Sequence, residues 1–584
     1  VFTVNQKLDF ITKGLSAYVR FSFDSYSEFN NKRTGGVDLW YANQRDGNGE
    51  LIFGKPIKEG SDELYYEHSD TGERVIYTEA NIAYDRTFGS HNINGMVLYN
   101  MRNRMIATAG SAIASIPYRN QAVAARLGYG YKDRYLAEIN GSYTGSENFA
   151  PGHRFGFFPA ASVGWVISHE PFFQNIVHTV DLLKLRASYG IVGNDNIGGT
   201  GDRFAYFTQF GSGNNYGFGP NGNLVYGIRE TLLGSNKLTW EKSYKTNIGL
   251  EMMLLGKLNL TLDYYWERRK DILIQRSSLP SMAGFDAAIY ANMGEMDNKG
   301  LDANLEYQTR INNKVGLRLY GNVTYSKNKI VFRDEPDMQY PYQKSEGTRY
   351  GEYYGYVADG YFQSWEEIEN SPKQLRELAP GDIKYKDLNN DNVIDANDQC
   401  YLGKSWFPSW SYGMGFNVNY HNFDLSLFFQ GVADVSIMAN GGSMDTGNGD
   451  WGAGGVGIVP FTGMGLNPSN VITKALDRWT EDNPRADAWY PRMTANASTS
   501  DNNYVNSTHW LKNGNYLRLK QASLGYTLEN KRLMDKGIEY LYFYLSGQNL
   551  LTFSKFKLWD PELGSNGAKY PLSRMVTLGM RVSF

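Results

Sequence analysis

Residues 387–398, Asp-Leu-Asn-Asn-Asp-Asn-Val-Ile-Asp-Ala-Asn-Asp, space oxygen donors as a hard cation requires. Asp387, Asn389, Asp391, Asp395 and Asp398 stand at positions 1, 3, 5, 9 and 12 of the run, and Val393 offers its main-chain carbonyl at position 7. This is EF-hand-like calcium spacing, because Ca2+ gathers about six to eight oxygens around a tight turn. Asn392 stands where such loops place glycine, and asparagine enters the left-handed region more readily than other side chains. Asp398 replaces the longer bidentate glutamate, which weakens the expected grip. No helix pair flanks the run. The expectation is a structural Ca2+ clamping a long loop, and the alternative is a solvated acidic loop without metal.

Other chemistry is sparse. Gly452-Ala-Gly454-Gly-Val-Gly457 fits a dinucleotide-loop pattern, but no strand–helix–strand unit surrounds it and no acidic partner follows at the expected distance. P-loop, H-E-x-x-H and G-x-S-x-G motifs do not occur. The seven histidines are scattered, and His169 and His178 fall in one connection without a serine partner, so the reading is not an enzyme. Aromatic side chains cluster instead: Trp406, Trp410, Trp451, Trp479, Trp489, Tyr490, Tyr340 and Tyr342 could stack on sugar rings or peptide side chains, or pack the loops together.

The elements that carry these loops follow a period of two. In the last residues Val576, Leu578, Met580, Val582 and Phe584 share one face, while Thr577, Gly579, Arg581 and Ser583 share the other. Leu258, Leu260, Leu262, Tyr264 and Trp266 alternate with Asn259, Thr261, Asp263 and Tyr265. Phe423, Leu425, Leu427 and Phe429 alternate with Asp424, Ser426, Phe428 and Gln430. Val315, Leu317, Leu319, Val323 and Tyr325 face away from Arg318, Tyr320, Asn322 and Thr324, and Leu15, Ala17, Val19, Phe21 and Phe23 oppose Ser16, Tyr18, Arg20 and Ser22. Apolar-out, polar-in strands of about ten residues are those of a transmembrane β-barrel, with arginines directed to a wet lumen. The composition agrees. The chain of 584 residues carries 63 glycines and 43 tyrosines, enough aromatic mass to exclude disorder. A net charge of −3 means that no polyanion-binding surface shows in the totals, and no nucleic acid partner is expected. The single Cys400 excludes an internal disulfide framework.

The expected fold is all-β: a transmembrane antiparallel barrel of about seventeen strands, with short helices in its long loops. Short connections fall at Lys13-Gly14, Gly89 to Asn92, Lys132-Asp133, Gly256-Lys257, Asn312-Asn313 and His421-Asn422, with two longer ones, Ser168 to Val180 and Glu529 to Gly537, on the same side. Long loops alternate with them at Tyr26 to Thr71, Asn194 to Asn236, Val331 to Lys404 and Ala433 to His509. Short helices are expected at Trp365 to Leu378 and Asn470 to Trp479. Outer-membrane barrels keep short turns in the periplasm and long loops outside, so 331–404 and 433–509 are expected to be extracellular. Phe584 then ends in the periplasm as a carboxy-terminal insertion signal. An odd strand count puts Val1 on the opposite side, so a plug domain and the first strands are expected to lie outside this chain.

Several separate stretches resemble one family in order. They are Leu183 to Gly198, Trp240 to Glu251, Asn292 to Gln308, Ala379 to Asp395, Asn515 to Leu528 and Ser546 to Glu562. Across them, residues 1–584 resemble the C-terminal barrel part of SusC/RagA-family TonB-dependent outer-membrane transporters. The resemblance implies a barrel of about 22 strands in the outer-membrane lipid of a Gram-negative cell, closed by an N-terminal plug. It implies a SusD-like lipoprotein lid, energising by a TonB–ExbB–ExbD complex through the plug, and two transporter–lipoprotein pairs forming a dimer. The implied function is uptake of oligosaccharides or peptides. The alternatives are a surface-structural or adhesive barrel, and a passive porin.

Overall fold

The computed structural model describes every residue except 37, 39, 41, 55–58, 197–202, 221, 313, 441–471, 494–501, 536 and 568. One nineteen-stranded sheet dominates it. Its wall is a meander of strands Phe2–Lys7, Leu15–Gly36, Ser61–Phe88, His91–Ile106, Tyr118–Tyr131, Tyr135–Ser146, Phe155–Val166 and Val180–Asn194. It continues through Glu241–Leu254, Leu258–Gln275, Ala288–Ile311, Val315–Phe332, Trp410–Tyr420, Phe423–Ala433, Tyr516–Leu528, Tyr540–Ser554 and Met575–Ser583. These are the seventeen wall strands that the alternation predicts, and each pairs antiparallel with the next. The other two sheet members, Gln209–Phe218 and Asn223–Leu233, form a hairpin at the long-loop end. Among the described residues no pairing joins Phe2–Lys7 to Met575–Ser583, so the sheet has two free edges.

The turns form where the backbone can reverse cheaply. Gly14, Gly89 and Gly256 adopt φ of +89°, +59° and +60°, and Lys132, Asp133, Asn312 and His421 also enter the left-handed region. All of these lie at the same end of the wall. The longest connections there carry the short helical turns Ile167–His169 and Pro171–Phe173, and the helix Lys531–Met534.

The two faces of the wall differ as the period-two pattern requires. Leu305, Ile248, Tyr264 and Trp266 are exposed on the outside. Beyond Trp266 the outer face turns polar: Arg268 lies 2.6 Å from Asp297, and Lys299 sits 5.7 Å from the Trp266 ring. The apolar band therefore ends at an aromatic rim.

The long-loop end departs from the sequence reading in three places. Tyr26 to Thr71 is mostly strand rather than loop, since Tyr26 pairs with Glu73 and the ladder continues to Gly36 opposite Ser61. Main-chain hydrogen bonds, helped by side-chain contacts such as Tyr66 on Asn31 at 2.6 Å and Lys32 with Glu67 at 3.3 Å, sustain this hairpin without an apolar face, so its polar sequence shows no alternation. The helix expected over Trp365 to Leu378 is only Trp365–Glu369, capped by the Ser364 hydroxyl and stopped before Pro372. The one expected over Asn470 to Trp479 is a 3-10 turn, Thr473–Leu476, which leaves Leu476 80% exposed while Ala475 and Trp479 are buried.

Candidate functional site

At the long-loop end, the described residues between Phe332 and Trp410 and between Ala433 and Tyr516 fold together into a dome. Three small antiparallel ladders frame it: Glu352–Gly355 with Cys400–Ser405, Ala358–Tyr361 with Ile383–Tyr385, and Ser436–Met438 with Leu511–Asn513. Between them lies a core built on Trp510, Tyr490, Tyr385, Trp479 and Ile383. Rings in this core meet one another: Tyr504 stacks on Trp510 at 5.6 Å, and Trp489 and Tyr490 meet Trp510 edge-on.

Several buried polar atoms inside the dome are paired, across the two loops or within one of them. The Tyr361 hydroxyl donates to the Ala488 carbonyl at 2.8 Å, and the Trp510 indole donates to the Asn503 carbonyl at 2.8 Å. Asn503 receives the Ile383 amide at 2.9 Å and donates to Asp382, which also faces Arg492 at 2.7 Å. Burial pushes the hydroxyls of Tyr361, Tyr385 and Tyr490 well above the usual phenol range, so these tyrosines stay neutral donors. Burial and then Glu352 push the Cys400 thiol up, which leaves it a weak nucleophile.

Of the aromatic candidates, Trp479 and Tyr490 are buried and Trp489 packs partly against the core, while Trp406 and Trp410 remain open to solvent. Tyr340 and Tyr342 stack on each other at 5.3 Å. Trp451 and the Gly452 to Gly457 run lie outside the described residues.

The acidic turn sits on the flank of this dome, held by the Tyr342 hydroxyl on the Asn397 carbonyl at 2.7 Å. Burial and then the Asp398 charge push the Tyr342 hydroxyl up to about 12. Asp387 accepts the amides of Asn390 and Asn392 at 2.6 and 2.8 Å, and Asp391 accepts that of Val393 at 2.8 Å. Asn389 donates to Asp391, and Asp395 accepts the Asn397 amide at 2.7 Å. Fully buried Asp398 accepts the amides of Leu388 and Asp395 at 2.7 and 2.9 Å. Asn390 and Asn392 both take positive φ, as glycine would in a calcium loop. Among the described residues no three His, Cys, Asp or Glu side chains converge in metal-ligating geometry. Each carboxylate has room for about four contacts, so an amide bond does not exhaust it.

Below the dome the inner face of the wall is ionic. Arg186 bridges Glu251 at 3.0 Å and Asp263 at 2.6 Å, reaching across the strand Glu241–Leu254, and Lys184 joins Glu251 at 3.3 Å. Lys184 and Arg186, together with Asn92, Asn94, Glu138 and Asn247, line a hollow of about 440 Å3. The lumen candidates of the sequence lie on this face. Arg20 faces Glu79 at 3.8 Å, Arg318 meets Glu306 at 2.7 Å, and Arg581 covers the Tyr542 ring at 5.8 Å. Phe584, 85% exposed, follows the last strand at the short-turn end. Two groups escaped sequence reasoning: the Asp334 node between two loops, and the pair His509 and Lys512 beneath Trp489. Their partners are 20 to 58 residues away and follow no period, so no local signal marks them.

A family model, TonB dependent receptor-like, beta-barrel, matches residues 2–550. The chain belongs to this family. Membership places it among the outer-membrane β-barrels of TonB-dependent receptors. Among the described residues no helix is long and apolar enough to cross a membrane; the wall strands do so. It is 26% identical to TonB-dependent receptor P3 of Formosa agariphila over 89% of this chain and 53% of that protein. It is 30% identical to TonB-dependent receptor P26 of the same organism, over 79% of this chain and 45% of that one. It is also 26% identical to TonB-dependent receptor SusC of Bacteroides thetaiotaomicron, over 79% and 43%. The chain thus spans about half the length of these curated relatives. The RagAB peptide transporter shares the fold with a TM-score of 0.72 at 19% identity, over 100% of this chain and 61% of that one.

Proposed function

We propose that this chain is the barrel part of a TonB-dependent outer-membrane importer of oligosaccharides or peptides, working beneath a SusD-like surface lipoprotein. The observation that supports this best is the dome, two long loops joined around one aromatic core, above a wall whose inner face is ionic. A passive porin needs little folded mass outside its pore, and an adhesin has no use for a charged inner lining. The family's name and those of its relatives support TonB dependence. In this reading the lipoprotein closes on the dome, and a TonB–ExbB–ExbD complex withdraws a plug from the lumen. Further strands cover the edges at Phe2–Lys7 and Met575–Ser583, because hydrocarbon leaves free backbone donors and acceptors unsatisfied. Phe584 serves as the insertion signal, and two transporter–lipoprotein pairs form the working dimer.

The same proposal gives the acidic turn a structural Ca2+, with Asp387, Asn389, Asp391, Asp395, Asp398 and the Val393 carbonyl as its oxygen donors. The all-oxygen donor set suits calcium, and the ion would neutralise the turn and stiffen the dome.

The test is mass spectrometry of the complex purified from native outer membrane in mild detergent, paired with substrate uptake in cells with and without TonB. A plug joined to this barrel, a co-purifying lipoprotein and TonB-dependent uptake are expected. TonB-independent uptake with neither plug nor lipoprotein would overturn the proposal.

A further inference from the structure

Where the dome meets the wall, a cavity of about 1000 Å3 opens between the turn Thr473–Leu476, the strand Leu511–Asn513 and the chain leaving Tyr540–Ser554. Four lysines line it, Lys474, Lys512, Lys555 and Lys557, beside Trp489 and Phe556. Among the described lining residues there is no aspartate or glutamate.

The lysines come from three separate parts of the sequence, so no basic run announces them. Only Lys474 has a carboxylate partner among the described residues, Asp477 at 2.8 Å. Lys512 donates to the His509 carbonyl at 2.7 Å and lies 5.1 Å from the Trp489 ring centroid. Burial, and then the neighbouring Lys474, lower its ammonium to about 8. Lys555 and Lys557 are exposed at the rim and form no ion pair among the described residues. Gathering positive charges around one cavity raises its potential and favours an anion there.

We propose that this cavity binds the anionic groups, carboxylate or sulfate, of an acidic oligosaccharide. This deepens the importer reading and rests on it for the ligand being a nutrient. Ammonium groups serve as point charges for the oxyanions, and Trp489 supplies an aromatic surface against which a sugar ring packs. The volume accommodates several sugar rings, at the upper end of small-molecule sites.

The test is titration of the full-length transporter in detergent, followed by tryptophan fluorescence and calorimetry at physiological salt. The probes are a trigalacturonate, a sulfated trisaccharide, a neutral trisaccharide and a hexaglutamate peptide. The uronate, the sulfated sugar or both are expected to bind, and comparison of the two shows which oxyanion is preferred. The double variant Lys555→Gln/Lys557→Gln, altered only at exposed positions, is expected to weaken acidic-sugar binding roughly tenfold or more. Lys512→Gln is expected to weaken it further, with the neutral sugar unaffected throughout. Unchanged affinity in the rim variant, no binding of either acidic sugar, or tighter binding of hexaglutamate than of both sugars would overturn the proposal. Because binding is read without TonB, failure here leaves import intact, and failure of import leaves this result standing.

Discussion

Asp334 ties together two connections at the long-loop end of the wall, and replacing it by asparagine should loosen both. The residue lies two positions beyond the strand Val315–Phe332 and is 6% exposed. Its carboxylate accepts Arg276 Nε at 2.9 Å, the Ser277 amide at 2.9 Å, and the Ser278 hydroxyl and amide at 2.6 and 3.3 Å. Burial alone would raise its pKa, but the Ser278 hydroxyl, the Arg276 guanidinium and the two amides outweigh burial and hold it at about 2. A carboxylate lowered from 3.8 to about 2 stabilises the fold by about 2.5 kcal/mol. That contribution is complete above about 3.8 and is lost as pH falls through about 2. Asp334→Asn removes the charge and turns an NH2 toward donors, so the local opening constant should rise roughly sixtyfold at neutral pH. Hydrogen exchange measured on peptides covering 276–288 and 333–345 of the full-length protein should show this rise, with wall peptides unchanged. In the wild type, the opening constant of the same peptides, corrected for the intrinsic exchange rate, should begin to rise as the pH is lowered to 3, and the variant should lack that acid limb. Equal exchange in the two proteins at pH 7 would refute the reasoning.

Three shorter predictions follow from other parts of the molecule. Leu260→Arg or Leu427→Arg should cost about 2–4 kcal/mol when folding is measured in bilayers, and unaltered folding would show that these residues do not face lipid. His509 is held down to about 3 by burial and then Lys512, against the opposing Trp489 carbonyl, so it is neutral in the folded dome. A depressed pKa means that dome stability is complete above about 6.5 and declines toward pH 3 by about 1.4 kcal/mol per unit. Protease resistance of 502–513 should therefore fall by pH 5 in the wild type and stay level in His509→Gln; identical profiles would exclude His509 as the cause. Finally, EGTA or Asp398→Asn should speed limited proteolysis of 333–404, and cleavage rates indifferent to both would remove calcium from the acidic turn.

The strand pattern was legible because a barrel wall writes its two environments into neighbouring residues. Leu260 beside Thr261, or Phe423 beside Asp424, is enough to assign faces, and the structure keeps those faces. The turns were equally local: Gly14, Gly89 and Asn312 take left-handed backbone that few residues adopt. The aromatic loop residues were found by type but not by role. Trp479 and Tyr490 turn their rings into the dome core, which no spacing in 433–509 could distinguish from a binding surface.

By itself, the sequence determined an antiparallel wall of seventeen strands, the end carrying its long loops and the faces of its side chains. All of these depend on contacts between adjacent strands or within one turn. Only the tertiary structure decided that Tyr26 to Gly36 stays paired beyond the apolar band, that two loops share one core, and that four lysines surround one cavity. Those outcomes come from residues brought together over long separations, Lys474 with Lys557 or Ile383 with Asn503. Their energies are set by burial and mutual charge in a shared space, and a linear pattern carries no record of that space.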